Sequence, residues 1–316
     1  MKLLFVIDPP ETLKAYKDSS VAMMRAAQAR GHAVHICGTE TLRFEAGAVR
    51  AEARRLALTD DDADWYRAGP PETAVLAEFD AVLMRKDPPF DLEYVTATWL
   101  LSLAEREGAR VYNRPAAVRD ANEKIGILEF PQFTVPTIVA REPARIHAFI
   151  DAEGDVILKR LDSMGGESIF RVRSGDPNRN AIVEVMAQGG ERSVMAQRYI
   201  PEIRDGDKRV LLIDGRAVPY CLARLARPGE TRANLAAGGT GVARPLGARE
   251  REIAATVGPV LAARGLVLVG LDVIGDWLTE VNVTSPTCFR EIQDQTGFDV
   301  SGMFLEALET RVRTAR

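Results

Sequence analysis

Apolar positions along this chain switch between two periods, and the switch divides it. Lys2–Asp8 (KLLFVID) is an apolar run ending in an acid and two prolines, the pattern of a buried strand whose pairing stops where proline removes a donor. Asp18-Ser19-Ser20 offers caps to Val21–Arg30, which is amphipathic at helical spacing and closed by Gly31. His32–Cys37 reads as the next strand. Strand, helix and strand in that order predict a parallel, doubly wound sheet. Ala48–Leu58 and the acidic Asp60–Asp64 are expected to be peripheral and exposed. Ala81–Met84 predicts a further strand, Glu93–Glu107 a helix and Arg110–Asn113 a short strand. Asn122-Glu123-Lys124 is expected to open an apolar helix, and Pro131 and Pro136 then punctuate a change of domain near residue 122.

Beyond that boundary short strands follow one another. Val156–Lys159, Ile169–Val172, Val194–Ile200, Val210–Ile213 and Ala217–Leu222 are separated by turns such as Asp205-Gly206-Asp207 and Asp214-Gly215, which predicts antiparallel pairing. Arg227–Gly241 has no periodicity and four glycines, so it reads as a mobile loop whose Arg232 and Asn234 could order on an anion. A helix over Ala248–Arg264 leads into two apolar strands, Val267–Ile274 and Leu278–Val283, and Val300–Arg313 predicts a closing helix.

Composition narrows the function classes. The 316 residues are 46% hydrophobic and 27% charged, as in an ordinary globular protein with room for more than one core. A net charge of −4 gives no electrostatic reason to expect nucleic acid or an anionic membrane as partner. No run approaches the ~20 apolar residues of a membrane span, and the apolar stretch before Asp8 is too short for a signal peptide. Three cysteines, Cys37, Cys221 and Cys288, have no metal-type spacing and suit a reducing cytoplasm. Only seven of the 41 basic residues are lysines, so Lys86, Lys124, Lys159 and Lys208 draw notice.

The candidate chemistry centres on the last hairpin. With a three-residue turn at Gly275-Asp276-Trp277, Asp272 faces Glu280, and Asn282 lies on the same face. Carboxylates ~5 Å apart repel by roughly 3 kcal/mol at an effective dielectric near 20, so a cation between them is one reading; two carboxylates and an amide oxygen suit Mg²⁺. The other reading is a solvated hairpin, and a two-residue Gly275-Asp276 turn would favour it by sending the two acids to opposite faces. Arg85 and Lys86 sit at the carboxyl end of a strand, where α/β sheets bind ligands. Lys159 precedes Gly165-Gly166, a loop whose backbone N–H groups could close over phosphate, although no Walker pattern is present. A plain glycine hairpin and a solvated basic pair remain open for these segments.

Taken together, the segments KDSS, MRKDPPFD, NEK, LDSMGGESIFRV, DGDKRVL, NLAAGG, GLDVIGD and TEVNVTSPTC resemble the prokaryotic glutathione synthetase family of ATP-grasp ligases over nearly the whole chain. The resemblance implies an α/β architecture with three parts: a Rossmann-like N-terminal domain (1–122), an ATP-grasp lid (123–200) and a C-terminal catalytic domain with an antiparallel sheet (201–316). It implies a metal set of Asp272, Glu280 and Asn282 holding Mg²⁺, with Mn²⁺ as an alternative. ATP would meet Lys124 and Lys159 at its phosphates, Gly165 and Gly166 in the flap, Gln197, Tyr199 and Ile200 at adenine, and Asp207 at the ribose. Arg209, Arg232 and Asn234 are implied near the reacting groups, and Arg85, Arg224, Ser285 and Thr287 at the peptide. The implied substrates are γ-glutamylcysteine, glycine and ATP, joined through an acyl phosphate by a homo-oligomer.

The chain departs from the family pattern at Arg160, Ser163 and Ala233, which puts flap and loop closure in question. Cys288 is expected to pack, because activating a carboxylate with ATP needs no thiolate. Other readings are a ligase for a different amino-acid or dipeptide pair, a nucleotide-binding regulator without turnover, and a dinucleotide oxidoreductase. The last lacks a G-x-G-x-x-G after the first strand.

Overall fold

The structure, a computed structural model, describes residues 1–225 and 238–314. The N-terminal part contains β1 (Lys2–Val6), α1 (Ser19–Ala29), β2 (Ala33–Cys37), β3 (Arg43–Glu45), β4 (Ala48–Leu58), β5 (Tyr66–Val75), β6 (Ala81–Met84), α2 (Leu92–Arg106), β7 (Val111–Tyr112) and α3 (Pro115–Asp120). Strands β2, β1, β6 and β7 run parallel in that order. Apolar residues on successive positions of β1 explain why helices cover both faces. Leu4 and Val6 pack with Tyr94, Ala97 and Leu101 of α2, while Leu3 and Phe5 pack with Val21, Met23 and Met24 of α1. The Asp18 carboxylate accepts from the Val21 N–H and starts α1; Asp91 does the same for α2 through Tyr94.

Two expectations fail here. Ala48–Leu58 is strand β4 of the sheet, antiparallel to β2, β3 and β5. It buries Val49, Ala51, Ala53 and Leu56, but alanines facing in and arginines facing out make a weak strand signal. Asn122-Glu123-Lys124 opens only a 3₁₀ segment, Ile125–Glu129. The Asn122 side-chain oxygen accepts from the Lys124 and Ile125 N–H groups, and Pro131 stops the segment before an α-helix can develop.

The middle part contains β8 (Thr137–Ala140), α4 (Pro143–Glu153), β9 (Asp155–Arg160), β10 (Ile169–Arg173), α5 (Arg179–Ala187) and β11 (Val194–Arg198). Its antiparallel sheet, ordered β10-β9-β11-β8, has its own core built on Ile146, Ile150, Val156, Leu158 and Val183.

The last part contains β12 (Asp207–Ile213), β13 (Arg216–Leu225), β14 (Thr240–Pro245), α6 (Ala248–Ala263), β15 (Leu268–Ile274), β16 (Trp277–Asn282), α7 (Phe289–Thr296) and α8 (Val300–Thr314). The sheet is antiparallel throughout, ordered β14-β13-β12-β15-β16. Its two faces share the apolar clusters of the N-terminal sheet: Leu211 and Phe304 join Leu3 and Phe5, and Val210 and Leu271 join Leu4. Asn113 stitches the two together, donating to the Leu268 and Val283 carbonyls and accepting from the Leu268 N–H. No helix among the described residues is long and apolar enough to cross a membrane.

Candidate active site

The hairpin of β15 and β16 departs from the expected turn yet delivers the expected register. Gly275-Asp276 is a two-residue turn with Ile274 opposite Trp277, and Val273 opposite Leu278. A bulge at Thr279 then inserts one residue into β16, so Asp272 lies opposite Glu280 and Gly270 opposite Asn282. One extra residue shifts side-chain facing by one position, which restores the shared face that a two-residue turn alone would have lost. Thr279 secures the bulge by donating from Oγ1 to the Asp272 carbonyl at 3.1 Å.

Strand order decides what meets Asp272. Because β12 pairs with both β13 and β15, Arg209 is opposite Asp272, and Asp207 is opposite Arg224. Arg209 reaches Asp272 through Nε at 2.5 Å and Nη2 at 3.1 Å, and Arg224 Nη2 adds a contact at 2.8 Å. Gly270 makes room: a Cβ there would lie 2.8 Å from Arg209 Cδ. Burial alone would raise the Asp272 carboxyl, but the two guanidinium groups outweigh it and hold the group well below the usual carboxylate range. Asp207 must share Arg224 with Asp272, so burial prevails and pushes it up to about 6. One Asp207 oxygen, Oδ1, is buried without a hydrogen-bond partner among the described residues.

Above this face lies a cleft of about 290 Å³ between the middle and last parts. Lys124, Lys159, Gly165, Gly166, Gln197, Tyr199, Ile200, Asp207, Arg209, Arg224, Glu280, Asn282, Ser285 and Thr287 all line it. Lys124 donates to the Ser163 carbonyl at 2.6 Å and stands 3.9 Å from Glu280. Lys159 is buried, which lowers its pKa against the pull of Glu280. The flap between β9 and β10 depends on Gly165 and Gly166, whose φ angles of 63° and 86° favour glycine. The departures at its base have partners: Arg160 forms a fork with Asp162 at 3.2 Å, and Ser163 Oγ donates to the Arg160 carbonyl. Gln197 is oriented by Thr137, and the Tyr199 ring carries the Arg171 guanidinium 3.5 Å from its centroid.

Asn282 donates Nδ2 to the Gly270 carbonyl, which leaves its amide oxygen as an acceptor, and the Glu280 carboxylate also borders the cleft. Hard oxygens of this kind fit a divalent cation such as Mg²⁺. Asp272, the third expected ligand, stands behind them with its oxygens on Arg209 and Arg224. No group of three or more His, Cys, Asp or Glu side chains converges into a metal cluster among the described residues. Arg85 is set behind the cleft wall, donating to Ser20 Oγ and to the Pro286 carbonyl. Arg232, Asn234 and Ala233 lie outside the described residues, as does most of the expected loop; its end, Thr240-Gly241, begins β14. Cys288 is buried and its thiol pKa is raised by that burial, in keeping with packing.

A family model of the prokaryotic glutathione synthetase N-terminal domain matches residues 1–119, and one of the prokaryotic glutathione synthetase ATP-grasp domain matches residues 123–297. The chain belongs to the prokaryotic glutathione synthetase family. A glutathione synthetase of Ralstonia nicotianae is 58% identical over 309 residues, covering 98% of this chain and 95% of that protein. One of Bordetella pertussis is 58% identical over 315 residues, covering 98% and 99%. In fold the chain is similar to the crystal structure of D-cycloserine synthetase DcsG, with a TM-score of 0.67, 16% identity, and coverage of 98% and 99%. The fold is thus α/β with an ATP-grasp body, and the chain is an ATP-dependent, glutathione-forming ligase that uses a divalent metal.

The cleft also brings in two residues that the sequence reading passed over. Glu123 and Asp87 border the cleft beside Ser285. Glu123 accepts from Thr284 Oγ1 at 2.9 Å, and Asp87 accepts from the Ser285 hydroxyl. Both lie in quoted motifs, NEK and MRKDPPFD, but each sits next to a lysine that drew the attention.

Proposed function

We propose that this cleft transfers the γ-phosphoryl group of ATP to the C-terminal carboxylate of γ-glutamylcysteine, and that glycine then displaces phosphate from the acyl phosphate. The carrying observation is the single face of the last sheet, where Arg209 and Arg224 are fixed by Asp272 while Glu280 and Asn282 border the cleft below Lys124 and Lys159. Cations fixed before reaction stabilise charge on transferring phosphoryl oxygens without reorganising.

In this reading Lys124 and Lys159 take the phosphates, with Gly165 and Gly166 covering them and excluding water. Gln197, Tyr199 and Ile200 border adenine, and the unpartnered Asp207 Oδ1 accepts from a ribose hydroxyl. Arg209 faces the transferred group, while Arg224 and the Ser285-Pro286-Thr287 turn, backed by Arg85, receive the peptide; Arg232 and Asn234, outside the described residues, are assigned to the reacting groups by the family resemblance alone. Glu280, Asn282 and Asp272 would hold the divalent cation, Mg²⁺ by its preference for hard oxygens with Mn²⁺ as the alternative; when bound it neutralises phosphate charge. Division of the chain at residues 122 and 200 accords with the separate core of the middle part. Three buried free cysteines accord with a reducing cytoplasm. Light scattering on the purified protein reads whether it is the homo-oligomer that the family implies.

The deciding experiment measures ADP release with γ-glutamylcysteine and glycine, each omitted in turn, using peptide labelled with ¹⁸O in its C-terminal carboxylate. One labelled oxygen should appear in the released phosphate. Label that stays wholly in the peptide product would rule the mechanism out.

A further inference from the structure

The substrate assigned above carries two carboxylates and one ammonium group, and only the carboxylates have partners in that assignment. Two acids on the cleft wall have unused capacity. Glu123 takes three contacts on a single oxygen, Oε1, from Val283 N, Thr284 N and Thr284 Oγ1 at 3.2, 3.5 and 2.9 Å. Its Oε2 has no hydrogen bond among the described residues. Asp87 accepts the Ser285 hydroxyl on Oδ1, and its Oδ2 has none either. Neither acid forms an ion pair with any described residue, whereas nearby Lys86 is taken by Asp8. The Tyr94 hydroxyl, on a side chain only 3% exposed, has no hydrogen-bond partner among the described residues and lies in the field of Glu123, Arg85, Asp87 and Asp8. Among the described residues, each acid on the cleft wall therefore keeps one oxygen free to accept from a further donor.

We infer that Asp87 and Glu123 together receive the α-ammonium group of the γ-glutamyl substrate and decide which dipeptides the enzyme accepts. This rests on the peptide assignment of the proposed function. The attacking amine of glycine must shed its proton, and two negative charges would oppose that. The glutamyl ammonium stays charged throughout, so the pair suits it. Each acid also holds one hydroxyl of the 284–285 turn, so the turn that lines the peptide site is fixed by the same residues that read the ammonium.

The experiment compares γ-glutamylcysteine with glutarylcysteine, which has hydrogen in place of the ammonium, in the intact enzyme and in Asp87→Asn and Glu123→Gln. Both amides keep an oxygen that can accept from Ser285 or Thr284. The unsubstituted enzyme should favour the ammonium substrate in kcat/KM by about 10- to 100-fold, the worth of a hydrogen bond to a charged group. Each variant should reduce that preference by about fivefold or more, through loss on γ-glutamylcysteine alone, with the KM for ATP and the melting temperature unchanged. Equal preference in all three proteins overturns the inference. So does equal loss on both substrates, which would mean that the acids only hold the turn, and so does a raised Mg²⁺ requirement at constant preference. If the unsubstituted enzyme forms no ADP from γ-glutamylcysteine and glycine, the functional reading falls and takes the inference with it.

Discussion

Asp272→Asn should unfold the ligand-free protein more easily, because Asp272 is the common counter-charge of two buried arginines. The substitution keeps shape and one carbonyl oxygen but removes the charge that receives contacts at 2.5, 3.1 and 2.8 Å. Asp272 is 2% exposed, Arg209 7% and Arg224 4%, so water does not replace the lost partner. Breaking a buried pair by removing one member costs about 3–5 kcal/mol. The retained oxygen and the remaining Arg224–Asp207 contact reduce this to about 3 kcal/mol, or roughly 5–10 °C in melting temperature. The assay is urea and thermal unfolding in EDTA without nucleotide. Asp272 is held below the usual carboxylate range, so its contribution is complete above the unfolded carboxylate pKa and is lost only as pH falls through the folded value. The gap between the two proteins should therefore stay constant from about pH 7 to 8, above the titration of Asp207, which Asp272 helps to raise. If Asp272 served only as a metal ligand, its removal would relieve repulsion with Asp207 and leave the metal-free protein as stable or more so. That result would refute the account of the arginine pair.

Asp207 should act with the opposite sign: its folded pKa of about 6 lies above the unfolded carboxylate value, so stability falls as pH rises from about 4 to about 6, by at most about 1.4 kcal/mol per unit. Asp207→Asn should flatten that slope, and an unchanged slope would discount the shared-arginine argument. Lys159→Ala should raise the KM for ATP about 10- to 100-fold with a smaller effect on kcat, since it removes a phosphate contact made before and during transfer. Glu280→Gln should do the reverse, slowing turnover about a hundred-fold or more and raising the metal concentration for half-maximal rate. Mg-ATP with peptide should protect the flap at Met164–Ser168 from proteolysis; equal cleavage with and without ligands would count against its closing.

Local chemistry made much of this protein readable from its sequence. Apolar runs bounded by proline, glycine and capping acids delimited β1, α1, β9, β15 and α6 closely, because strand period and helix caps are short-range effects. The spacing of Lys159, Gly165 and Gly166 allowed either a phosphate flap or a plain glycine hairpin, and only the resemblance favoured the flap. The quoted motifs carried the family, since their residues stand in fixed order. What the sequence could not determine depends on contacts between distant residues. The turn at Gly275-Asp276 has two residues, and the bulge at Thr279 that returns Glu280 to the face of Asp272 is set by pairing along β15, not by the turn. Beside its place in the proposed metal set, Asp272 is the anchor of Arg209 and Arg224, because β12 inserts between β13 and β15. Arg85, an anion binder or a solvated base by its place at a strand end, is buried behind Pro286, 201 residues away along the chain. Charge alone does not say whether an acid faces solvent, a cation or a buried arginine; only the order of strands in the folded sheet decides which of these it meets.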